Sequence, residues 1–467
     1  MISLRRNFFL LASGQAVGRV FTFVTTLYLA RHLGAEPFGV IAFGTAVLAY
    51  AALIVDFGFD ALGPVEMARD GVARAALVST VMTMRLALAL VAGVALALFT
   101  SVAPLDTTTA GVVLAFGLAL PLMALDMRWA LLGTESMGAA AGADVLLQAV
   151  QMAGVLLLVR TAGDLWLFPL IFVVAQGVCV AAGWAAWTAR FGLPRLGIHV
   201  PLARTLLPAA VPLAGSTAVG MLLHNFDLVL IGLWLGIASA GLYGAAYRVV
   251  WLPTVLVVAY TAALRPTVVR AWAAGAAEVQ SVISASHRIM AAVGVGAAVA
   301  GVILARPLLE ALYGAEYAPA ARPFQVLLAA LFLMLFSRPY RVLLVAARMQ
   351  ALDFRILVAA AAVNVVGNVL LLPRFGLWGA AVATLTSEAV LLVLVHATTR
   401  RLAPGIGLLR HLVRPVVCAT AMAVLLVSFS DWPLAARITG GLAAYLALGA
   451  ALGIFGLRGT RGLVSGP

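Results

Sequence analysis

Apolar segments long enough to cross a bilayer follow one another along nearly the whole chain, and no other signal constrains the fold as strongly. A helix needs about 20 apolar residues to span a hydrocarbon core of ~30 Å. Fourteen stretches qualify: 7–30, 38–60, 76–99, 110–131, 144–160, 165–188, 208–234, 241–264, 288–305, 323–346, 355–372, 377–396, 413–430 and 433–456. Between them there is no room for a separate soluble domain. Hydrophobic residues make up 64% of the 467 and charged residues 10%, where soluble chains average roughly half and a quarter. The expected fold is an all-α membrane protein with about 14 transmembrane helices.

All 30 basic side chains are arginine, and the formal charge is +13. With abundant Ala, Gly, Val and Leu, this is the bias of a GC-rich bacterial genome rather than a nucleic-acid-binding surface. The charge sets orientation instead. With the N-terminus inside, nineteen arginines fall on the inner side and six on the outer (Arg31, Arg160, Arg306, Arg322, Arg374 and Arg437). By the positive-inside rule, this predicts a multi-pass protein of the bacterial inner membrane with both termini cytoplasmic. Arg5-Arg6 followed by an apolar run looks like a signal peptide. The run continues to Ala30 without a short-core cleavage site, so it is expected to be the first span, retained. Cys179 and Cys418 both sit in apolar segments, which argues against a disulfide framework or a metal site.

An internal repeat points to two related halves. Leu33-Gly34 with Gly39 matches Leu235-Gly236 with Gly241 at an offset of 202 residues, and Pro64 matches Pro266 at the same offset. The prolines are expected to end a span and open a basic loop. Six spans separate the copies, so both keep the same orientation, as in halves related by an axis along the membrane normal. The expected division is a six-helix bundle over 1–200, a second over 201–400, and two additional helices over 401–467.

Polar groups inside the membrane are expensive and mark function. Gln15, Arg19, Thr22 and Thr26 recur at steps of 4, 3 and 4, which places them on one face of the first helix. Arg19 lies about 18 Å from the helix start at 1.5 Å per residue. Its burial costs at least about 2.5–3.5 kcal/mol, unless a wet cavity or a bound anion offsets it. Arg85 and Arg248 sit about two turns inside their spans and either snorkel or line the same cavity. Asp126 and Arg128, two apart, would not share a helical face and read as an interfacial anchor. Asn225, Asp227 and Glu388 are the deep amide and acidic groups. Asp227 either pairs with Arg248 or, like Glu388, takes up a proton or Na⁺. Asn364 and Asn368 should hydrogen-bond between helices, and Gly14 and Gly18 mark close helix packing. His224 reads as a packed histidine. Nucleophile triads, paired catalytic carboxylates, phosphate-cradling glycine loops and metal-ligand spacings are missing, so neither an enzyme nor a cofactor is expected.

The run Ala30-Arg31-His32-Leu33-Gly34-Ala35-Glu36-Pro37-Phe38-Gly39 is followed by Asp56-Phe57-Gly58-Phe59 at the end of span two. The second half carries Asp227 to Gly232, then Gly241-Leu242-Tyr243-Gly244-Ala245-Ala246-Tyr247-Arg248. Later come Leu312-Tyr313-Gly314-Ala315-Glu316-Tyr317 and the run Asn368 to Ala381. In this order and spacing the chain resembles the polysaccharide-biosynthesis (Wzx-type) oligosaccharide flippases of the MOP superfamily, which also holds lipid II flippases and MATE drug exporters. The resemblance implies two bundles in a V-shaped, MATE-like arrangement that work by alternating access. It implies a polyprenyl-pyrophosphate-linked glycan as cargo, moved from the cytoplasmic to the outer leaflet for capsule, O-antigen or exopolysaccharide synthesis. Cationic cavity residues are implied too, for which Arg19, Arg85 and Arg248 are the matching positions. Membrane lipids, a polysaccharide polymerase and export machinery are the expected partners of a monomer. Fourteen spans also fit the lipid II branch, whose two extra helices would form a groove for the lipid tail, and a cation-coupled multidrug exporter is the remaining relative.

Overall fold

Inside hydrocarbon a backbone must satisfy its own N–H and C=O groups, which leaves helices as the way to build these segments. The computed structural model bears this out; it describes residues 2–69, 73–194, 196–403, 405 and 411–454. Of the arginines in the orientation count, Arg195, Arg410, Arg458 and Arg461 lie outside the described residues. The chain separates into two compact units, Met1–Gly244 and Ala245–Pro467.

The first unit holds α1 (Ile2–Leu33), α2 (Ala35–Asp56), α3 (Phe59–Met67), α4 (Arg74–Val102), α5 (Thr107–Gly117), α6 (Leu120–Ala124), α7 (Arg128–Gly133), α8 (Met137–Leu158), α9 (Leu167–Phe191), α10 (Val200–Trp234) and the start of α11 (Ile237–Trp251). The second unit continues through α12 (Thr254–Ala274), α13 (Ala276–Tyr313), α14 (Ala321–Ala346), α15 (Gln350–Leu402), α16 (Val413–Ser428) and α17 (Leu434–Ala451). Among the described residues, ten helical stretches are long and apolar enough to cross a membrane. One of them, the 53-residue α15, is two helices meeting at Gly376 (φ 60°, ψ −144°). Every span read from the sequence falls on a helix, but several are broken: span two into α2 and α3, span four into α5, α6 and α7, and span eight into α11 and α12.

The repeat has a structural reason. A Cβ added at Gly39 would stand 2.0 Å from the Ile237 carbonyl oxygen, and one at Gly241 would stand 2.0 Å from that of Ala35. Residues 35 and 237, like 39 and 241, are related by the same 202-residue offset. The two copies therefore meet as a local two-fold contact, in which only glycine lets the backbones approach so closely. The proline expectation needs correction. Pro64 lies inside α3 and Pro266 inside α12, and both helices continue past them.

Gly14 and Gly18 pack α1 onto α8, with Ala141 and Gln148 at ordinary to tight contact distance. A buried aromatic core in the first unit gathers Phe59, Trp129 and Trp187. In the second unit α13 is joined to α16 and α17 through Cys418, Met422 and Tyr445, whose hydroxyl donates to the Ala292 carbonyl.

Candidate functional site

A bundle of apolar helices offers few places for charge, and in the first unit the charges converge on one. A cavity of about 300 Å³ is lined by Gln15, Asp60, Asp126, Arg128, Trp129, Leu132, Ala140, Ala141 and Asp144. Two helix breaks build it. Between α2 and α3 the chain turns at Phe57 and Gly58, both at positive φ. The Asp56 carboxylate ties this turn, accepting from the backbone N–H of Gly58 (3.1 Å) and of Asp60 (2.8 Å). Asp60 is thereby set to receive the Arg85 guanidinium from α4 at 3.0 Å.

The second break, Leu125–Met127, overturns the reading of Asp126 and Arg128. The intervening backbone is not helical, so two residues apart is close enough to pair. The Arg128 Nε donates to Asp126 Oδ2 at 2.7 Å and its backbone N–H to Oδ1 at 2.9 Å. Its Nη1 also reaches Asp144 Oδ1 on α8 at 2.5 Å. Arg128 is thus a clamp across α7 and α8.

The polar stripe of α1 faces this region. Gln15 lines the cavity and Thr22 donates to Gln148 of α8 at 2.9 Å, while Thr26 is buried. Arg19 lies one turn beyond Gln15; it is exposed and makes no hydrogen bond or ion pair among the described residues. Arg85, expected either to snorkel or to line the cavity, is paired. It is only 3% exposed and committed to Asp60, because an arginine at that depth needs a partner.

Asp227 on α10 is 2% exposed and accepts the Tyr243 hydroxyl and the Leu228 N–H. Asn225, two residues earlier, is half-buried and makes no hydrogen bond among the described residues. Arg248 belongs to the second unit, half-buried and in electrostatic reach of Tyr313 and Tyr317. His224 is half-buried on α10.

In the second unit Glu388 is 4% exposed, and its Oε2 has no hydrogen-bond partner. Arg338 and Arg341 of α14 supply the positive field around it. Arg341 also forms a two-pronged bond to Asp353 at 2.7 and 2.8 Å. The two arms of α15 are tied by Asn364, which donates to Thr384 and Ser387, while Asn368 bonds back to Asn364. The second unit also holds an apolar groove of about 340 Å³ between α13, α16 and α17, walled by Gly296, Ala300, Met422, Gly441 and Tyr445.

Sequence reasoning missed Asp60, Asp144 and Trp129. Asp144 stands four residues before Gln148, with Gln151 three residues further on, in a mostly apolar helix, and that i, i+4 polar pair was the available signal.

Residues 4–272 match the family model described as polysaccharide biosynthesis protein. No curated protein matches the chain significantly. Among solved structures it is similar to the lipid II flippase MurJ in an inward closed conformation, at 11% identity and a TM-score of 0.81, covering 96% of this chain and 100% of that one. It is similar to an inward-facing multidrug resistance MATE family transporter of the MOP superfamily, at 14% identity and a TM-score of 0.67, covering 82% and 95%. A third likeness is to a MOP superfamily transporter from Pyrococcus furiosus with reverse polarity of its binding pocket, at 14% identity and a TM-score of 0.50, covering 85% and 96%. These likenesses establish a MurJ- and MATE-like helical fold.

Proposed function

Because the chain belongs to the polysaccharide biosynthesis protein family, we propose that it is a flippase for a polyprenyl-pyrophosphate-linked oligosaccharide. It would carry repeat units from the cytoplasmic to the outer leaflet of the bacterial inner membrane by alternating access, without enzymatic chemistry of its own. The observation that carries this reading is the charged cavity of about 300 Å³ in a unit otherwise made of membrane-length apolar helices. A solute that is hydrophilic at one end and a long hydrocarbon at the other needs two different surfaces. The polar cavity suits the first, and the apolar groove on α13, α16 and α17 suits the prenyl tail.

Arg19 is assigned to the pyrophosphate. Its guanidinium is uncommitted among the described residues and can make charge-assisted, two-pronged bonds to phosphate oxygens. In a cell negative inside, outward movement of an anion is favoured by about 2.3 kcal/mol per charge per 100 mV, so the membrane potential alone could drive export. Proton or Na⁺ uptake at Asp227 or Glu388 would be a second source of drive.

The test is glycan export in a deletion strain complemented with Arg19→Ala and Arg19→Lys at matched membrane levels. Loss in the first, with weaker loss in the second, is expected; full export by both removes Arg19 from the cargo site. A second reading, export of cationic drugs, is favoured by the carboxylates that outnumber arginines in the cavity. Unchanged drug susceptibility of the deletion strain would exclude it.

A further inference from the structure

The connection between α9 and α10 carries an arrangement that moving a cargo does not explain. Phe191 ends α9 and Val200 begins α10, and the residues described between them are not helical. Non-helical backbone is tolerated at membrane depth only where protein or water covers it, so these residues lie at the membrane boundary rather than in the hydrocarbon. They are nevertheless rich in large apolar side chains. Leu193 is 77% exposed, Leu196 60%, Ile198 52% and Val200 53%. An exposed apolar strip of this kind marks an interaction surface.

The strip is held in place. Ser79 of α4 donates to the Gly197 carbonyl at 2.8 Å, the Gly197 N–H donates to Thr83 Oγ1 at 3.1 Å, and the His199 N–H donates to Thr80 Oγ1 at 3.1 Å. Leu202 and Leu206, early in α10, join Leu77 and Val78 of α4 in one core. With backbone and following helix both fastened to α4, the leucines cannot withdraw into the bundle without breaking these contacts.

Charge of a single sign surrounds them. The Arg74 guanidinium lies over the Phe191 ring, 5.5 Å from its centre. Arg190 is exposed and engages only Ser136, through Nη1 at 2.6 Å. Arg204 is exposed and makes no hydrogen bond or ion pair among the described residues. No carboxylate answers them nearby in the chain, which has no acidic residue over 165–226 or over 71–105. Apolar side chains at the boundary enter the headgroup–acyl layer, and guanidiniums beside them bind phosphate oxygens and are drawn to a negative surface. Placement at the ends of membrane-length helices selects lipid as the occupant, and the uncompensated charge selects anionic lipid.

We propose that Leu193, Leu196 and Ile198, with Arg74, Arg190 and Arg204, form an anionic-phospholipid anchor in the cytoplasmic leaflet. The proposal stands apart from the flippase reading and is tested without cargo.

The experiment uses the full-length protein in nanodiscs. Cys179 and Cys418 are buried, so a maleimide fluorophore is directed to Leu196→Cys, and in a reference protein to Val94→Cys on the exposed face of α4. Quenching is read with brominated phosphatidylglycerol and with brominated phosphatidylcholine. At one negative headgroup per arginine, each worth about fivefold, phosphatidylglycerol should quench the Leu196→Cys probe at a mole fraction about tenfold or more below that of phosphatidylcholine. The Val94→Cys probe should show no such preference. Arg74→Gln with Arg204→Gln should reduce the preference below about threefold, while the two lysine counterparts should keep most of it. Equal quenching by the two lipids at Leu196→Cys overturns the anchor. Quenching by neither lipid also overturns it, placing the segment in water or under a protein partner. A headgroup preference that survives the double glutamine variant overturns the assignment to these arginines.

Discussion

Arg128→Met is the substitution whose consequence the geometry defines most sharply. It removes the Nε bond to Asp126 at 2.7 Å, the Nη2 contact to the same oxygen at 2.6 Å and the Nη1 bond to Asp144 at 2.5 Å. The backbone N–H of residue 128 still donates to Asp126 Oδ1. Breaking a buried pair by deleting one partner costs about 3–5 kcal/mol, because the survivor keeps a charge it can no longer match. The Arg128 side chain is 33% exposed and Asp144 31%. Solvent screening therefore reduces that figure to about 3 kcal/mol. Most of the loss belongs to Asp126, whose side chain is only 10% exposed. Adding Asp126→Asn to Arg128→Met should recover more than half of the loss, since a neutral amide oxygen still accepts the residue-128 N–H. Adding Asp144→Asn instead should recover little. The assay is equilibrium unfolding of the full chain in mixed micelles, with the three variants treated as a cycle. If Arg128→Met unfolds with wild-type free energy, the clamp does not stabilise the fold; if Asp126→Asn fails to outperform Asp144→Asn as a partner, the loss does not lie with the buried Asp126 carboxylate.

Two further outcomes follow from the close contacts. Gly39→Ala and Gly241→Ala each drive a methyl onto a carbonyl oxygen at 2.0 Å and should destabilise by about 3 kcal/mol or more, at the upper end of overpacking costs. Gly93→Ala, with nothing within 4 Å of the added Cβ, should instead stabilise by about 0.5–1 kcal/mol; equal behaviour of the three in thermal unfolding would refute the contact. Tyr243→Phe removes the hydroxyl that donates to buried Asp227 and should cost about 1–3 kcal/mol, measurable by the same unfolding assay, whereas an unchanged midpoint would show that Asp227 does not depend on it.

The helices were legible from the sequence because hydrophobic length is a strong, local signal, and the arms of α15 were even separated at the right place. The 202-residue repeat was legible for a different reason: glycine at Gly39 and Gly241 answers a steric demand that leaves no alternative residue. The charged site was only half legible. Gln15 and the polar face of α1 follow from helical periodicity, and that face does turn toward α8. Periodicity misled at Asp126 and Arg128, because it presumes a continuous helix where the chain breaks. It also gave no warning that Arg85 would be taken up by Asp60, since that pairing depends on how α3 leaves the turn after Asp56. Depth along a span predicts that an arginine must be satisfied; it does not say by what.

Several of the polar clusters of this protein are brought together at helix breaks, and this has a physical cause. Within a membrane, non-helical backbone is tolerated only where protein buries it or water reaches it, so each break defines a place from which lipid is excluded. The turn at Phe57-Gly58 presents Asp60, the turn at Leu125–Met127 presents Asp126 and Arg128, and the bend at Gly376 lets Asn364 meet Thr384 and Ser387. At the first two, Asp60 keeps one carboxylate oxygen uncommitted and the buried Trp129 N–H has no partner. At the third the side chains largely satisfy one another, and Glu388 is left without a partner for Oε2 one residue past the Ser387 contact. The contrast separates a site with capacity for a ligand from a joint that holds two arms in register. Under the proposed flippase reading, specificity for cargo belongs to the breaks of the first unit, and the exposed Arg19 of continuous helix α1 is the general handle for a phosphate.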